Sequence, residues 1–345
     1  IHHLLFDQDG KTIWAAHDGG VSISMDGGDT WKPRDSGIGA ANIFGLSVAQ
    51  TEDTIVLYGA YDTGGNLLKK GKWSHVSWGD GFQTAIDPAN PNTMYVSKQN
   101  GHLNRSDDGG KTFDNAAGSG ITRTEWHTWF RMCPQQPEVL FCAGDKLVRS
   151  MNKGQKWESI LDVKQLEDGV QTIYRVFVSA SHRGTVYAYG LGAQKTDVHL
   201  YRTLNALAER AEDVVWERLP ALPKAGWISD LVIDADKSNQ FWISFKSAEP
   251  EQKLFRFNGE RFIDVTANLG WCVAESIVLD ALDNERLYLG TNHGVYTRNK
   301  RESEWTLIKG LPGTYIKSMD INQVQRQLYV GTFGRGVWTM PLLYN

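Results

Sequence analysis

Ser24-Met25-Asp26-Gly27-Gly28-Asp29-Thr30-Trp31 is a turn that the chain repeats, as Ser106-Asp107-Asp108-Gly109-Gly110-Lys111-Thr112-Phe113 and in weaker form as Ser150-Met151-Asn152-Lys153-Gly154-Gln155-Lys156-Trp157. In such a turn the acidic or amide side chain accepts backbone N–H bonds, the glycine takes a positive φ, and the aromatic ring holds the outer strand against its sheet. We therefore expect nine residues to be structural: Asp26, Gly28, Trp31, Asp108, Gly110, Phe113, Asn152, Gly154 and Trp157.

The pattern Ser-x-Asp-x-Gly-x-Thr-Trp resembles the Asp-box of bacterial-neuraminidase-type repeats. This resemblance implies an all-β fold, a β-propeller of four-stranded antiparallel blades. Seven aromatic residues close turns of this kind, mostly about 40 to 46 residues apart: Trp31, Trp73, Phe113, Trp157, Trp216, Phe262 and Trp305. Three more strands are predicted after the last of them.

The repeat count predicts eight blades with an incomplete last blade, and seven blades is the alternative. We expect a strand from upstream of Ile1, or the first residues themselves, to complete the open blade, because an unpaired edge invites aggregation. Residues 1–345 are expected to form one propeller domain, as a segment of a larger protein. The widest interval between closing aromatics, from Trp157 to Trp216, is predicted to contain a short helix over 206–212, capped by Asn205.

Composition excludes several classes of partner. Lys and Arg number 36 and Asp and Glu 40, for a net charge of -4, so the chain has no basic field for nucleic acid or anionic lipid. No apolar stretch approaches the roughly 20 residues of a membrane helix, so membrane insertion is not expected. The spacing of His and Cys indicates no metal site, and no motif indicates a cofactor.

Two longer stretches resemble large secreted bacterial proteins, described as sortilin-like or glycosyl-hydrolase-like Asp-box proteins. They are residues 79–88 with 96–106, and the ending Leu328-Tyr329-Val330-Gly331-Thr332-Phe333-Gly334-Arg335-Gly336-Val337-Trp338. The resemblance implies a bacterial protein that is extracellular or at the cell surface. Its signal peptide would lie outside this segment.

Two acidic turns are candidate catalytic sites. Asp62-Thr63-Gly64-Gly65 resembles the Asp-x-Gly-Gly loop of two-propeller xyloglucanases, and Asp18-Gly19-Gly20 is a shortened version. The resemblance implies catalytic roles for Asp62 and Asp18, whereas the alternative is that each Asp only organises its own turn. Glycoside hydrolysis needs two carboxyl groups about 5 to 9.5 Å apart, and those enzymes use a cleft between two propellers.

Aromatic and charged residues are predicted to gather on the loop-rich face, around the central channel. Aromatic rings among carboxylates suit carbohydrate, because sugar C–H faces pack on rings while hydroxyl groups bond to polar side chains. Packing between blades is the competing explanation for each ring. The predicted ligand-binding residues are Tyr61, Trp126, His127, Trp129, Arg175, Trp227, Trp271 and Glu275.

Three functions remain open from the sequence. A glycan- or protein-binding module, with other domains or subunits of a surface assembly as further partners, predicts ligand-facing tryptophans. A glycoside hydrolase predicts a close pair of carboxylates and a second propeller. A purely structural assembly component predicts a flat apolar patch.

Overall fold

The computed structural model describes residues 1–38, 41–118, 120–121, 124–166, 168–194, 197–283 and 285–343. They form eight antiparallel sheets, seven of four strands and a last one of three. This confirms the predicted all-β propeller with an incomplete last blade. The helices of the described residues are single 3-10 turns, Val163–Gln165, Ala211–Asp213 and Ala267–Leu269, and none could cross a membrane.

The strands of each sheet follow one another in chain order. The first sheet comprises β1 (His3–Phe6), β2 (Ile13–His17), β3 (Gly20–Ser24) and β4 (Lys32–Pro33). The second comprises β5 (Ile43–Val48), β6 (Ile55–Ala60), β7 (Gly64–Lys69) and β8 (Lys72–Ser77). The third comprises β9 (Thr84–Ile86), β10 (Met94–Ser97), β11 (Leu103–Ser106) and β12 (Asp114–Asn115). The fourth comprises β13 (Phe130–Cys133), β14 (Gln136–Cys142), β15 (Lys146–Ser150) and β16 (Glu158–Asp162).

The remaining four sheets have the same plan. The fifth comprises β17 (Val170–Val178), β18 (Val186–Gly192), β19 (Val198–Thr203) and β20 (Glu217–Arg218). The sixth comprises β21 (Ile228–Ile233), β22 (Phe241–Phe245), β23 (Leu254–Phe257) and β24 (Phe262–Asp264). The seventh comprises β25 (Ala274–Leu279), β26 (Arg286–Thr291), β27 (Gly294–Asn299) and β28 (Thr306–Leu307). The last comprises β29 (Ile316–Asn322), β30 (Gln327–Thr332) and β31 (Val337–Pro341).

Seven of the eight sheets close into a ring around a central channel. From the second sheet onward each sheet packs against the next, and β29 and β30 of the last sheet return to pack against β5. The Asn322 amide donates across this junction to the carbonyls of Ala49 and Thr51, at 2.9 Å each. The ring therefore closes by packing of sheet faces. Of the two sources that we expected for a fourth strand of the last blade, the first residues do not supply it, because β1 belongs to its own sheet.

The first sheet lies outside the ring. All six residues of β5 are buried between neighbouring sheets, whereas all four residues of β1 are exposed. Leu5 and Phe6 of β1 are 60% and 61% exposed. Within the described ranges, no strand of this sheet packs extensively on another sheet. The apolar side chains of β1 therefore lack the neighbouring sheets that cover β5 in the ring.

The repeated turns share one hydrogen-bond pattern. In the first turn the Ser24 hydroxyl donates to Asp26 at 2.7 Å, the Gly28 N–H donates to Ser24 Oγ at 2.8 Å, and the Thr30 N–H donates to Asp26 at 2.8 Å. Bonds from Thr30 and Ser24 lower the pKa of Asp26 to about 2, because they favour the charged carboxylate. The turns at Asp108 and Asn152 have equivalent bonds.

The predicted helix over 206–212 is wrong. Only Ala211–Asp213 forms a 3-10 turn, and its N-cap is Arg210. Asn205 instead accepts from the Thr203 hydroxyl and from the Val215 N–H, both at 2.9 Å. These are the bonds that Asp26 makes in the first turn, so the insertion is a lengthened version of the same turn, and Asn205 closes it rather than capping a helix.

Candidate functional site

One mouth of the ring channel is a cup walled by aromatic rings. The rings come from the residue just before an inner strand, from the inner strand β17, and from turns between second and third strands. The cavity is about 670 Å³, and six of its rings are Tyr61, Trp129, Tyr174, Trp227, Tyr315 and Phe333. We call this cavity the aromatic cup. Its size lies in the range of small-molecule sites.

Edge contacts between rings fix the wall of the aromatic cup. Tyr174 meets Trp227 edge-on with ring centroids 4.9 Å apart, and Tyr61 meets Phe333 edge-on at 6.0 Å. The Trp129 ring lies 6.1 Å from Tyr174 and carries the Arg175 guanidinium 4.0 Å from its centroid. Such edge-to-face and cation–π contacts hold the rings in place before any ligand arrives.

His127 contributes a neutral imidazole to the cup. Its ring lies 4.6 Å from Phe44, and the Tyr61 hydroxyl lies at hydrogen-bond distance from Nε2. Burial, and then the positive charge of Lys317, lower the pKa of His127 to about 4. The imidazole is therefore uncharged near neutral pH, and its Nε2 can accept a hydrogen bond from the Tyr61 hydroxyl.

Charged side chains form the floor of the aromatic cup. Glu275 is buried, and it accepts hydrogen bonds from the Tyr315 hydroxyl and, at 2.6 Å, from Lys317. The Lys246 ammonium lies 3.8 Å from Glu275. Arg175 donates to the Ser229 carbonyl and pairs with Asp230 at 3.4 Å. The cup therefore combines apolar ring faces with converging charged groups.

Below this floor the channel opens into a second cavity of about 520 Å³. Its wall is formed by the middle and far ends of the inner strands, and it contains Arg131 and Asp320. Burial raises the pKa of Asp320 to about 6, against the opposing effect of bonds from the Val48 and Ile321 N–H groups. Six residues line both cavities and separate the aromatic cup from the rest of the channel. Three of them are charged, Arg175, Glu275 and Lys317, and the others are Phe44, Trp129 and Ser229.

Asp62 follows Tyr61 of the cup, in the turn between β6 and β7, and lies close enough to Asp18 of the first sheet to feel its charge. Its N–H donates to Asp80 at 2.8 Å. Burial raises the pKa of Asp62, and the negative charges of Asp18 and Asp80 raise it further. Asp18 itself hydrogen-bonds to His2. The two candidate catalytic residues thus interact electrostatically across the boundary between the first sheet and the ring.

The structure separates the predicted ligand-binding residues into two groups. Six of them line the aromatic cup: Tyr61, His127, Trp129, Arg175, Trp227 and Glu275. Trp126 and Trp271 lie outside its wall and are 54% and 70% exposed.

Sequence reasoning missed Tyr174, Lys246, Tyr315 and Lys317, which also line the cup. A positional signal was available for Tyr315. It stands one residue before its inner strand β29, as Trp129 stands before β13 and Trp227 before β21.

Solved structures of similar fold have very different sequences. The GH74 xyloglucanase from Xanthomonas campestris matches with a TM-score of 0.69 at 14% identity, over 88% of this chain and 52% of its own. YCF48 from Cyanidioschyzon merolae matches with a TM-score of 0.60 at 11% identity, over 88% of this chain and 96% of its own. An extracellular domain assigned to a hybrid two-component system of B. thetaiotaomicron matches with a TM-score of 0.62 at 12% identity, over 86% of this chain and 39% of its own.

The chain spans about half the length of the GH74 enzyme, and the low identities of all three matches limit the likeness to the fold. No family model matches the sequence, and no curated protein matches it either.

Proposed function

We propose that the protein is an extracellular or cell-surface binding module of bacterial origin, whose aromatic cup holds a glycan. The observation that carries this proposal is the cup itself, where Trp129, Tyr174 and Trp227 present ring faces and edges above a charged floor. Ring faces bind the C–H faces of sugars, and buried polar groups fix the orientation of the hydroxyl groups. The likeness to an extracellular domain supports the location.

Trp227→Ala tests this proposal. Binding of a panel of oligosaccharides is measured by titration calorimetry, and the matched control is Trp271→Ala, which removes an exposed ring outside the cup. We expect Trp227→Ala to weaken binding at least about tenfold, since aromatic anchors are typical hot spots. Trp271→Ala should bind like the wild type. Equal losses in both variants, or no glycan bound by the wild type, would contradict a glycan site in the cup.

A second candidate function is glycoside hydrolysis by Asp62 and Asp18. The observation that favours it is the raised pKa of Asp62, caused by burial and by the charges of Asp18 and Asp80. A general acid needs a pKa raised in this direction. Release of oligosaccharides from polysaccharides should then disappear in Asp62→Asn and persist in Asp53→Asn, which changes an exposed acid elsewhere. If no substrate gave products, hydrolysis would be contradicted and only the proposed binding function would stand.

The exposed apolar strand β1 indicates a second surface on the same protein, where another protein or domain could pack. Leu5 and Phe6 are exposed, whereas every residue of the equivalent ring strand β5 is buried. We propose that another domain or subunit of an assembly packs on this sheet. Burying such side chains contributes roughly 1.5–3 kcal/mol each.

A further inference from the structure

The aromatic cup has more positive than negative charge. Three cations line it, Arg175, Lys246 and Lys317, against the single carboxylate of Glu275. Lys317 neutralises Glu275 through a bond of 2.6 Å, and Arg175 pairs with Asp230 in the channel below. Lys246 is the remaining cation. Its ammonium lies 3.8 Å from Glu275, beyond hydrogen-bond distance, and its side chain is 52% exposed.

The cations of the cup are close enough to repel one another. Burial lowers the pKa of Lys317, Glu275 opposes that shift, and the positive charges of Lys246 and Arg175 add to it. Charge interactions are stronger in such a partly enclosed site than in bulk water. A negative group placed among these side chains would relieve the repulsion.

Arg175 also has an unused donor. The residue is only 8% exposed, and its Nε–H has no hydrogen-bond acceptor among the described residues. Its guanidinium is held against Trp129 at 4.0 Å, so its direction is fixed. Because this Nε has almost no accessible surface and the other nitrogens bond to Ser229 and Asp230, Arg175 acts on the cup through its fixed positive charge.

We infer that the aromatic cup selects an acidic glycan, in which a hexuronate carboxylate is held by Lys246, near the positive charge of Arg175, while the sugar ring packs on Trp227. This inference rests on the proposed glycan-binding function and specifies its ligand class. A single excess cation matches a single carboxylate, and the exposed Lys246 ammonium has donors to offer to its oxygens.

The test compares four probes on the intact chain by titration calorimetry: an oligogalacturonide, its methyl ester, a neutral cello-oligosaccharide and a sulfated neutral oligosaccharide. The wild type should bind the oligogalacturonide at least about tenfold more tightly than the methyl ester, which has the same sugar backbone without the negative charges. Lys246→Gln should remove that preference, so that the acid and its methyl ester bind with the same affinity. The matched control Lys72→Gln, on the exposed outer strand β8, should keep the preference.

The outcomes separate the two proposals. Equal affinity of the wild type for the acid and its methyl ester would overturn the acidic ligand and leave a glycan site standing. Tighter binding of the sulfated sugar than of the oligogalacturonide would contradict the proposal that the acidic group of the ligand is a carboxylate. Retention of the preference in Lys246→Gln would overturn the role of Lys246. Failure to bind any of the four probes would overturn the glycan site itself.

Discussion

Asp62 has a backbone conformation that residues with side chains rarely adopt. Its φ is 60°, and the residue two positions later, Gly64, has a φ of 65°. A Cβ at Gly64 would lie 1.9 Å from the Ser77 carbonyl oxygen. The turn that carries the candidate catalytic carboxylate is therefore held by close backbone approach, and strained positions of this kind are concentrated at functional sites.

Gly64→Ala should destabilise the protein strongly, whereas Gly71→Ala should not. Both glycines have positive φ, 65° and 72°, but a Cβ at Gly71 would meet nothing within 4 Å. We expect Gly71→Ala to lower the free energy of unfolding by about 1–2 kcal/mol, the cost of the left-handed conformation. Gly64→Ala adds a clash with backbone and should cost at least about 3 kcal/mol. Urea unfolding measures both, and equal costs would show that the turn can relax.

At the scale of the element, the closing tryptophan of a repeated turn connects one sheet to its neighbour. The Trp157 indole donates to the Ala116 carbonyl of the preceding sheet at 3.1 Å, and the Trp216 indole donates to the Ile160 carbonyl at 2.7 Å. Trp31 lies in the first sheet, outside the ring, and its indole donates at 3.0 Å to the Gly28 carbonyl in its own turn. The same residue in the same motif thus plays different roles inside and outside the ring.

Trp157→Phe should therefore cost more stability than Trp31→Phe. Trp157→Phe leaves a carbonyl between two sheets without its donor, which costs about 1–3 kcal/mol. Trp31 is 40% exposed, so water replaces its indole and the cost should be close to zero. Thermal unfolding followed by circular dichroism compares the two variants. Similar melting temperatures would show that the indole bond between the sheets contributes little.

The sequence predicts elements better than it predicts their partners. The turn at Ser24–Trp31 has a local hydrogen-bond pattern, so its residue types alone indicate it. The lengthened turn at Asn205 has the same pattern spread over an insertion, and the apolar and charged residues between suggest a helix instead. Tyr174 and Lys317 line the cup from within inner strands, where nothing in the sequence distinguishes a channel-facing position from a packed one.

At the scale of the whole molecule, the sequence repeats predict the number of sheets. They do not predict which two sheets pack together to close the ring. β1 and β5 are both apolar inner strands, yet β5 closes the ring and β1 lies outside it. The difference comes from contacts across about 270 residues of chain, such as the bonds from Asn322 to Ala49 and Thr51. Such long-range contacts leave no local signal in the sequence.

Removal of residues 1–38 should leave the ring folded, because the closing contacts join β29 and β30 to β5 and none of them involves the first sheet. We expect a single cooperative transition in calorimetry, with a melting temperature within a few degrees of the full chain. The pKa of Asp62 should fall, since the truncation removes the charge of Asp18, which raises it more than the charge of His2, also removed, lowers it. NMR titration of the Asp62 carboxyl measures this fall.

The contrasting truncation removes residues 313–345, and with them the last sheet. It uncovers β5, whose six residues are buried in the ring, and should give an aggregating or unfolded chain. A chain that unfolds without residues 1–38 but stays folded without 313–345 would reverse the assignment of ring and appended sheet. The first sheet would then be part of the structure that holds the ring closed, and its exposed β1 could no longer be assigned to a partner's surface.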